Sequence, residues 1–200
     1  MKKKELEMLV QRVPPIRDPQ PGLEQYSTPA DIASDVLFTA YWRGDIADRR
    51  VMELGCGNGM FAIGASLLGA ETSLGVDIDP GCLEQARENS LALGARVELV
   101  RAWAEDLEAR VDTVIQNPPF GAQRKGADRP FLRTALRCAD RVYTLHLAGT
   151  EPFLLEYIDE LGGEVESRRR YKFNIPHLFG FHRKEVKSVE VVMLIVATGE

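Results

Sequence analysis

The sequence alternates short apolar runs with stretches of helical periodicity, and this alternation limits the fold more than any other feature. Apolar runs occupy 51–54, 72–76, 97–101 and 111–116, and a glycine-rich turn or a helical pattern follows most of them. Repeated strand–helix units favour a parallel sheet with right-handed crossovers. The sequence therefore predicts an α/β protein built on a doubly wound sheet.

The C-terminal part of the chain departs from this rhythm. Helices are predicted at 128–139 and 152–161, on either side of a strand at 142–147. Two longer alternating segments, 165–173 and 186–196, are separated by a loop with proline and glycine. They are expected to form a C-terminal antiparallel pair, which makes a mixed sheet of about seven strands.

The N-terminal segment combines a short helix with a linker. Residues 2–12 show an amphipathic pattern, and residues 13–22 hold four prolines and a glycine, which predicts an extended linker. A helix is predicted at 30–41, with Thr28 as its N-cap and Pro29 at its first position. The 200 residues are expected to form one domain, of which residues 1–29 are the N-terminal helix and linker.

Composition excludes several classes of protein. The chain is 44 % hydrophobic and 28 % charged with a net charge of −5, so any nucleic-acid binding depends on local basic patches. Its cysteines, Cys56, Cys82 and Cys138, are odd in number and lack metal-ligand spacing, which indicates a reducing compartment and no metal site. Without a signal-peptide pattern or a long apolar run, we expect a cytoplasmic protein.

The run Asn117-Pro118-Pro119-Phe120 directly follows the apolar run 111–116. The Asn117 side chain offers a carbonyl acceptor, and Pro118 presents an acceptor without a donor. Phe120 can lie over a flat ring. These groups suit an exocyclic amine, and the alternative is a simple Pro-Pro turn at the end of a strand.

A glycine-rich turn after the first strand indicates a nucleoside cofactor. Gly55-Cys56-Gly57-Asn58-Gly59 allows close backbone approach, although Met60 replaces the last glycine of the dinucleotide fingerprint. Asp77 ends the second strand, where a carboxylate can accept both ribose hydroxyls. Ile78 could cover the adenine, and Glu53 points a second carboxylate at the same crevice. The alternatives are a ligand-free turn, an N-cap role for Asp77 and a solvated charge at Glu53.

Taken together, these motifs resemble a known family. Class I S-adenosylmethionine-dependent methyltransferases that act on amines share the patterns at Glu53–Gly59, Gly75–Asp79 and Asn117–Phe120. Further segments resemble methyltransferase-like protein five and its archaeal relatives: Leu23–Thr28, Lys125–Leu132, Val142–His146 and Phe181–Lys184. The resemblance covers nearly the whole chain.

The resemblance implies a Rossmann-like class I methyltransferase that transfers a methyl group from S-adenosyl-L-methionine to N6 of an adenosine in small-subunit rRNA. It also implies a small zinc-binding activator subunit as partner. By the same resemblance, Gln25 and Thr28 lie near the methionine end of the cofactor and Asp77 holds the ribose. Gly55, Cys56 and Gly57 complete the cofactor site, and Asn117, Pro118, Pro119 and Phe120 form the target-amine site.

One position departs from the family pattern. The family places an aspartate just after the third strand, where it accepts from the adenine amine of the cofactor, and this chain has Trp103 there. Glu105, Asp106 or a backbone group could replace that acceptor. Alternatively, Trp103 caps the sheet edge and both acids are exposed.

Positive charge is local. The candidate RNA contacts are Arg124-Lys125, Arg168–Arg170 with Lys172, and His182–Lys184 in the apolar loop 174–184, with Tyr171, Phe173, Phe179 and Phe181 between them. The alternative is a solvated strand face with the aromatic rings in the core. His177 and His182 lack metal spacing. His146 is read as a satisfied core histidine or as a wall of the site.

The strand at 97–101 is expected at a sheet edge, where the activator subunit could dock by strand addition. The alternative is a covered edge in an enzyme that acts alone.

Two other functions fit the same motifs. Asn-Pro-Pro followed by an aromatic residue also suits a protein glutamine-N5 methyltransferase. A cofactor-binding ribosome-assembly factor without catalysis is the non-enzymatic alternative.

Overall fold

The computed structural model describes residues 1–121, 124–175 and 187–199. Its helices are α1 (Lys3–Val10), α2 (Ala30–Trp42), α3 (Met60–Leu67), α4 (Pro80–Leu93), α5 (Asp128–Cys138) and α6 (Glu151–Glu160). Its strands are β1 (Arg50–Leu54), β2 (Thr72–Asp77), β3 (Glu98–Arg101), β4 (Val111–Gln116), β5 (Ala139–Leu147), β6 (Gly163–Ile175) and β7 (Lys187–Thr198).

The strands form a seven-stranded sheet in the order β3-β2-β1-β4-β5-β7-β6. The first five are parallel to one another, and β7 pairs antiparallel with both β5 and β6. The predicted doubly wound mixed sheet with a C-terminal antiparallel pair is thus confirmed. The strand order extends from β1 on both sides, to β2 and β3 on one side and to β4 and β5 on the other. The carboxyl ends of β1 and β4 therefore flank a topological switch point, where ligands bind in such sheets.

The start of β5 and the N-cap of α2 differ from the sequence expectation. Strand β5 begins at Ala139 rather than near residue 142, because Ala139 already pairs with Val111 in the parallel register with β4. The predicted N-cap at Thr28 is wrong: Pro29 occupies that position with an extended backbone and without a side-chain cap. The Thr28 hydroxyl accepts a hydrogen bond from Asn117 Nδ2 at 3.1 Å instead. Here a tertiary contact prevails over local capping.

The core lies on both faces of the sheet. On one face, Leu6, Leu37 and Phe61 from α1, α2 and α3 are buried in a single cluster. On the other face, Leu132 and Leu154 from α5 and α6 pack in a second cluster. This two-sided cover explains why the central strands are apolar along their length rather than alternating. Among the described residues, no helix is both long and apolar enough to span a membrane.

Candidate active site

The glycine-rich turn between β1 and α3 is tightly enclosed. Gly55 and Gly57 have φ angles of 70° and 50°, in the left-handed region that favours glycine. A Cβ atom at Gly55 would lie 2.8 Å from Cε1 of Phe131, and one at Gly57 would lie 2.9 Å from Cδ1 of Ile16. The turn therefore requires glycine both for its backbone conformation and for the close approach of its neighbours.

A pocket of about 270 Å³ opens beside this turn, at the carboxyl ends of β1, β2 and β4. Its walls come from the predicted strand ends and from three other segments: the N-terminal segment 22–28, the connection 102–105 after β3, and the segment 124–127 before α5. Glu53, Gly55, Cys56, Gly57, Asp77, Ile78, Gln25, Thr28, Asn117 and Pro119 all line it. The structure thus gathers most of the predicted site residues around one cavity.

Two carboxylates face the pocket from adjacent strands. Asp77 accepts from the backbone N–H of Gly57 at 2.8 Å and of Asp79 at 2.9 Å, and burial raises its pKa above the ordinary value. Glu53 is buried and accepts from the N–H of Ala62 at 2.8 Å, and burial raises its pKa to about 8. Asp79 is the N-cap of α4 and accepts from the Gly81 N–H, which excludes the N-cap alternative for Asp77. The burial of Glu53 excludes its solvated alternative.

The structure separates Gln25 from Thr28, which the resemblance placed together. Gln25 Nε2 donates to Asp79 Oδ2 at 2.8 Å and lies 3.3 Å from Sγ of Cys82, so its amide is held at the end of β2. Thr28 is held by Asn117 at the end of β4. The two side chains therefore face different parts of the pocket wall.

The loop after β4 is anchored by the N-terminal segment. Besides the contact between Asn117 and Thr28, the Tyr26 hydroxyl lies 3.5 Å from the Pro118 carbonyl oxygen, and Gly121 N–H donates to Glu24 Oε2 at 3.0 Å. Among the described residues, the buried Oδ1 of Asn117 has no hydrogen-bond partner. A buried acceptor without a donor is costly, so this atom marks a place where a ligand donor would be stabilised.

The ring of Phe120 belongs to an aromatic cluster. Its centroid lies 5.0 Å from that of Tyr26 and 6.1 Å from that of Phe173. In this part of the pocket the wall is formed by Asn117 and Pro119, and the Phe120 ring packs behind it. Stacking of Phe120 on a target base would therefore require the ring to turn out of this cluster.

Trp103 lies on the pocket wall. The side chain is 49 % exposed although it is large and apolar, and it shares this wall with Ile78, Ala102 and Glu105. The N–H of Ala102 donates to the Asp77 carbonyl oxygen at 3.1 Å, which places the connection after β3 beside the end of β2. Glu105 faces the pocket, and the second acid considered from the sequence, Asp106, is not part of the wall.

Sequence reasoning missed the anchors of the proline-rich linker. Gln85 on α4 donates to the Pro15 carbonyl at 2.8 Å and accepts from Arg17 N–H at 2.9 Å. Asn58 donates to the Pro14 carbonyl at 2.9 Å. The available signal was an amide side chain in a helix, Gln85, and one in the glycine turn, Asn58. Their partners lie 44 or more residues away in sequence, so local patterns do not reveal them.

The candidate RNA-binding residues separate into three groups. Arg168 and Arg170 bind the carboxylate of Glu151 at 3.0 and 2.6 Å, and Arg169 binds Asp35 at 2.8 Å, so this run is paired with acids of α6 and α2. Arg124 and Lys125 line the pocket. The third group, His182–Lys184 with His177, Phe179 and Phe181, lies outside the described residues.

Strand β3 is an edge of the sheet, as the sequence predicted, and Val100 on it is 39 % exposed. His146 is buried, with Nε2 hydrogen-bonded to Thr144 Oγ1 and Nδ1 3.3 Å from Asp128 Oδ2, in agreement with its reading as a core histidine. The histidine belongs to a chain of polar contacts beneath the loop after β4.

Comparison with known proteins agrees with this geometry. The profile of the ribosomal protein L11 methyltransferase (PrmA) family matches residues 37–118, which include the glycine-rich turn and Asp77. The rRNA N(6)-adenosine-methyltransferase Mettl5 of Drosophila melanogaster is 34 % identical over 200 residues, covering 96 % of this chain and 94 % of that protein. The crystal structure of a candidate RNA methyltransferase from Pyrococcus horikoshii is 37 % identical and superposes with a TM-score of 0.93, over 99 % of this chain and 98 % of that one.

A more distant structure shares the fold. Magnesium protoporphyrin IX methyltransferase from Synechocystis, solved with bound S-adenosylmethionine, is 16 % identical with a TM-score of 0.66, over 84 % of this chain and 78 % of that one. The fold described here is thus one that holds S-adenosyl-L-methionine.

Proposed function

The chain belongs to the methyltransferase family that includes Mettl5, and on this premise we propose that it methylates N6 of an adenosine in small-subunit rRNA. The observation that carries the proposal is the buried Oδ1 of Asn117, an acceptor without a partner among the described residues. An amine that enters the pocket can supply the missing donor. The proposal thus rests on a local deficit in hydrogen bonding as well as on the family.

The residues present fit S-adenosyl-L-methionine, which supplies an electrophilic methyl group when bound. At Gly55 and Gly57 the turn has no space for a side chain, so it presents backbone to the pocket at these positions. The Asp77 carboxylate can accept from ribose hydroxyls. Ile78 and Trp103 would bind the adenine between them, and Glu53, Gln25 and Thr28 would complete the polar wall. Cys56 and Gly57 would contribute backbone contacts.

Asn117 and Pro118 would activate the target amine by accepting its hydrogen bonds. The N6 lone pair of adenine is delocalised into the ring, so the amine is a poor nucleophile. Acceptors at Asn117 Oδ1 and the Pro118 carbonyl favour a pyramidal nitrogen, and both contacts strengthen as positive charge develops there. The Pro118 carbonyl keeps a second lone pair while the Tyr26 hydroxyl lies 3.5 Å away. Pro119 would keep this elbow rigid, and the proton can leave to water after transfer.

Access to the amine requires an unpaired base. An adenine must be single-stranded or flipped out of a helix to enter the pocket, and Phe120 would then stack on it. Arg124 and Lys125 on the pocket wall would contact the flanking phosphates. These are the groups on which an RNA substrate would depend.

The test is nucleoside mass spectrometry of ribosomal RNA from cells with and without the gene. We expect one N6-methyladenosine of the small-subunit rRNA to disappear in the deletion and to return with the wild-type gene. Incubation of the purified protein with labelled cofactor and rRNA, DNA or protein separates the alternatives. Label found only in a glutamine-containing protein would favour the glutamine-N5 function, and no label in any substrate would favour a non-catalytic assembly factor.

The partner protein is a second part of the proposal. A small zinc-binding activator subunit would add a strand to the β3 edge, where Val100 is partly exposed. Co-expression and gel filtration test this point. Val100→Asp on β3 should abolish the complex. Leu91→Asp should leave it intact, because Leu91 is an exposed apolar side chain on α4 rather than on the proposed strand edge. A cytoplasmic location belongs to the same proposal. Cys56, Cys82 and Cys138 are free thiols, which fit a reducing compartment.

A further inference from the structure

A continuous chain of buried polar side chains runs beneath the loop after β4. Gln116 Nε2 donates to Thr144 Oγ1 at 3.0 Å, and Thr144 Oγ1 lies 2.7 Å from His146 Nε2. The other ring nitrogen of His146, Nδ1, lies 3.3 Å from Oδ2 of Asp128. Gln116, Thr144 and His146 are at most 1 % exposed. Thr144 and His146 share a face of β5, because alternate residues of a strand point the same way.

Hydrogen-bond chemistry allows this chain to run in a single direction from Gln116 to Asp128. Thr144 accepts from the Gln116 amide, so its single O–H proton is available for His146 Nε2. In that arrangement the ring N–H is Nδ1–H, which faces the Asp128 carboxylate at 3.3 Å. Burial by itself would raise the pKa of Asp128, but the hydrogen bond from His146 holds that pKa below its ordinary value. Asp128 therefore stays ionised and keeps the ring in one tautomer.

The two ends of this chain are the two ends of the loop that carries the amine site. Gln116 is the last residue of β4 and precedes Asn117, and Asp128 is the first residue of α5. Between them, Asn117, Pro119 and residues 124–127 line the pocket. Both loop ends are thus tied to β5, which is held in turn by β4 and β7.

We propose that the Gln116–Thr144–His146–Asp128 chain positions Asn117 for methyl transfer by holding both ends of its loop against β5. The inference rests on the proposed function. Asn117 Nδ2 is held from the opposite side by Thr28, so the amide is oriented by Thr28 and its backbone by Gln116. Gln116 does not line the pocket and acts through the peptide that it shares with Asn117. These four residues are positioning residues.

Stability alone does not explain the chain. Buried polar groups cost free energy unless they are fully paired, and apolar side chains of similar volume often serve a core equally well. Gln116 Oε1 is buried without a partner among the described residues, so this chain retains a deficit that an apolar core would avoid. The neighbouring positions on the same sheet face, Val114 and Val142, are apolar. The buried polar side chains of β4 and β5 on this face, Gln116, Thr144 and His146, all lie next to the loop.

The test compares two buried threonines of the sheet. Thr144→Val removes the central link of the chain at constant volume. Thr113→Val is the matched control, because the Thr113 hydroxyl is equally buried and bonds the Asp45 carbonyl at 2.7 Å toward the other end of β4. Each variant is assayed for kcat on rRNA, cofactor Kd by calorimetry, Tm, and amide hydrogen exchange of the loop without substrate.

We expect Thr144→Val to lower kcat by about tenfold or more, because small misplacements of a catalytic group have such effects. Its cofactor Kd should stay within about twofold of wild type, and exchange in residues 117–121 and 124–127 should accelerate. Thr144→Ser should rescue most of kcat. Asp128→Asn should reproduce the effect from the other end of the chain. This variant also provides the test if Thr144→Val fails to fold. Thr113→Val should lower Tm without these changes.

Equal losses of kcat in Thr144→Val and Thr113→Val would overturn the inference, as would unchanged loop exchange in Thr144→Val and Asp128→Asn. The exchange measurement needs neither substrate nor turnover. A wild-type protein that fails to methylate rRNA would therefore refute the proposed function, while the exchange data would still decide whether the chain holds the loop.

Discussion

The side-chain amide of Asn117 donates to the Thr28 hydroxyl at 3.1 Å, across 89 residues of sequence. This single contact orients the amide, because its nitrogen is engaged and its oxygen is left as a buried acceptor without a partner among the described residues. Thr28 lies in the N-terminal segment, which also contacts the loop through Tyr26 and Glu24. The N-terminal segment thus lines the pocket and also holds the loop that carries the proposed amine site.

Asn117→Ala is expected to abolish methyl transfer and to leave cofactor binding near wild type. The substitution removes the acceptor that would stabilise the developing charge on the amine, and one such group accounts for roughly a hundredfold in rate or more. A methylation assay on rRNA combined with calorimetry of the cofactor measures both effects. Retained activity in this variant would contradict the mechanism.

Trp103 should report cofactor binding by its fluorescence. The chain has two tryptophans, and Trp42 is 74 % exposed on α2 and not part of the pocket wall. In Trp42→Phe, the remaining Trp103 emission should be quenched when S-adenosylmethionine stacks on the ring. In Trp103→Phe the signal from Trp42 should stay constant. An unchanged Trp103 spectrum at saturating cofactor would place the adenine elsewhere.

Gly57→Ala should destabilise the protein and weaken cofactor binding, whereas Gly69→Ala should only destabilise it. Both glycines have positive φ, which costs a residue with a side chain about 1–2 kcal/mol. Only at Gly57 does the new Cβ also meet Ile16, at 2.9 Å, whereas nothing lies within 4 Å at Gly69. Urea unfolding and calorimetry check the comparison. Equal cofactor affinities in the two variants would show that the close approach of Ile16 is not needed.

Glu53 should make folding stability fall as pH rises. Burial raises its folded pKa to about 8, so above the unfolded value near 4.5 the folded state binds the proton more tightly. The stability that this group contributes is therefore complete below about pH 4.5 and lost as pH rises through about 8. Glu53→Gln should remove this component. The free energy of unfolding of wild type minus that of Glu53→Gln should decrease as pH rises from about 4.5 to about 8.5. A constant difference would contradict the assignment.

The paired arginines should matter less for RNA than the pocket-wall cations. Arg168 and Arg170 share the single carboxylate of Glu151, so their combined charge is partly offset. Arg124→Ala with Lys125→Ala should weaken binding of single-stranded RNA and reduce its salt dependence by about 0.7 in log–log slope per lost phosphate contact. Arg168→Ala with Arg170→Ala should have a smaller effect. The reverse order in fluorescence anisotropy would return the β6 arginines to the RNA surface.

Local patterns were sufficient for the order of elements. The apolar run 111–116 became β4, the alternating segments 165–173 and 186–196 became the antiparallel pair β6 and β7, and β3 lies at the sheet edge. These features depend on neighbours in sequence, so the residues themselves encode them. The glycine turn and Asp77 converge for the same reason, because the carboxyl ends of adjacent parallel strands meet at one edge of the sheet.

The amino-acid sequence by itself determined the mixed α/β sheet, the glycine turn and the family. Only the tertiary structure decided that Thr28 orients Asn117 rather than capping α2, that Gln25 binds Asp79, and that Arg168 and Arg170 are paired with Glu151. Each of these contacts joins residues far apart in the chain, and a polar side chain has several local roles open to it. Burial selects among those roles, because a buried polar group must find a partner where the fold provides one.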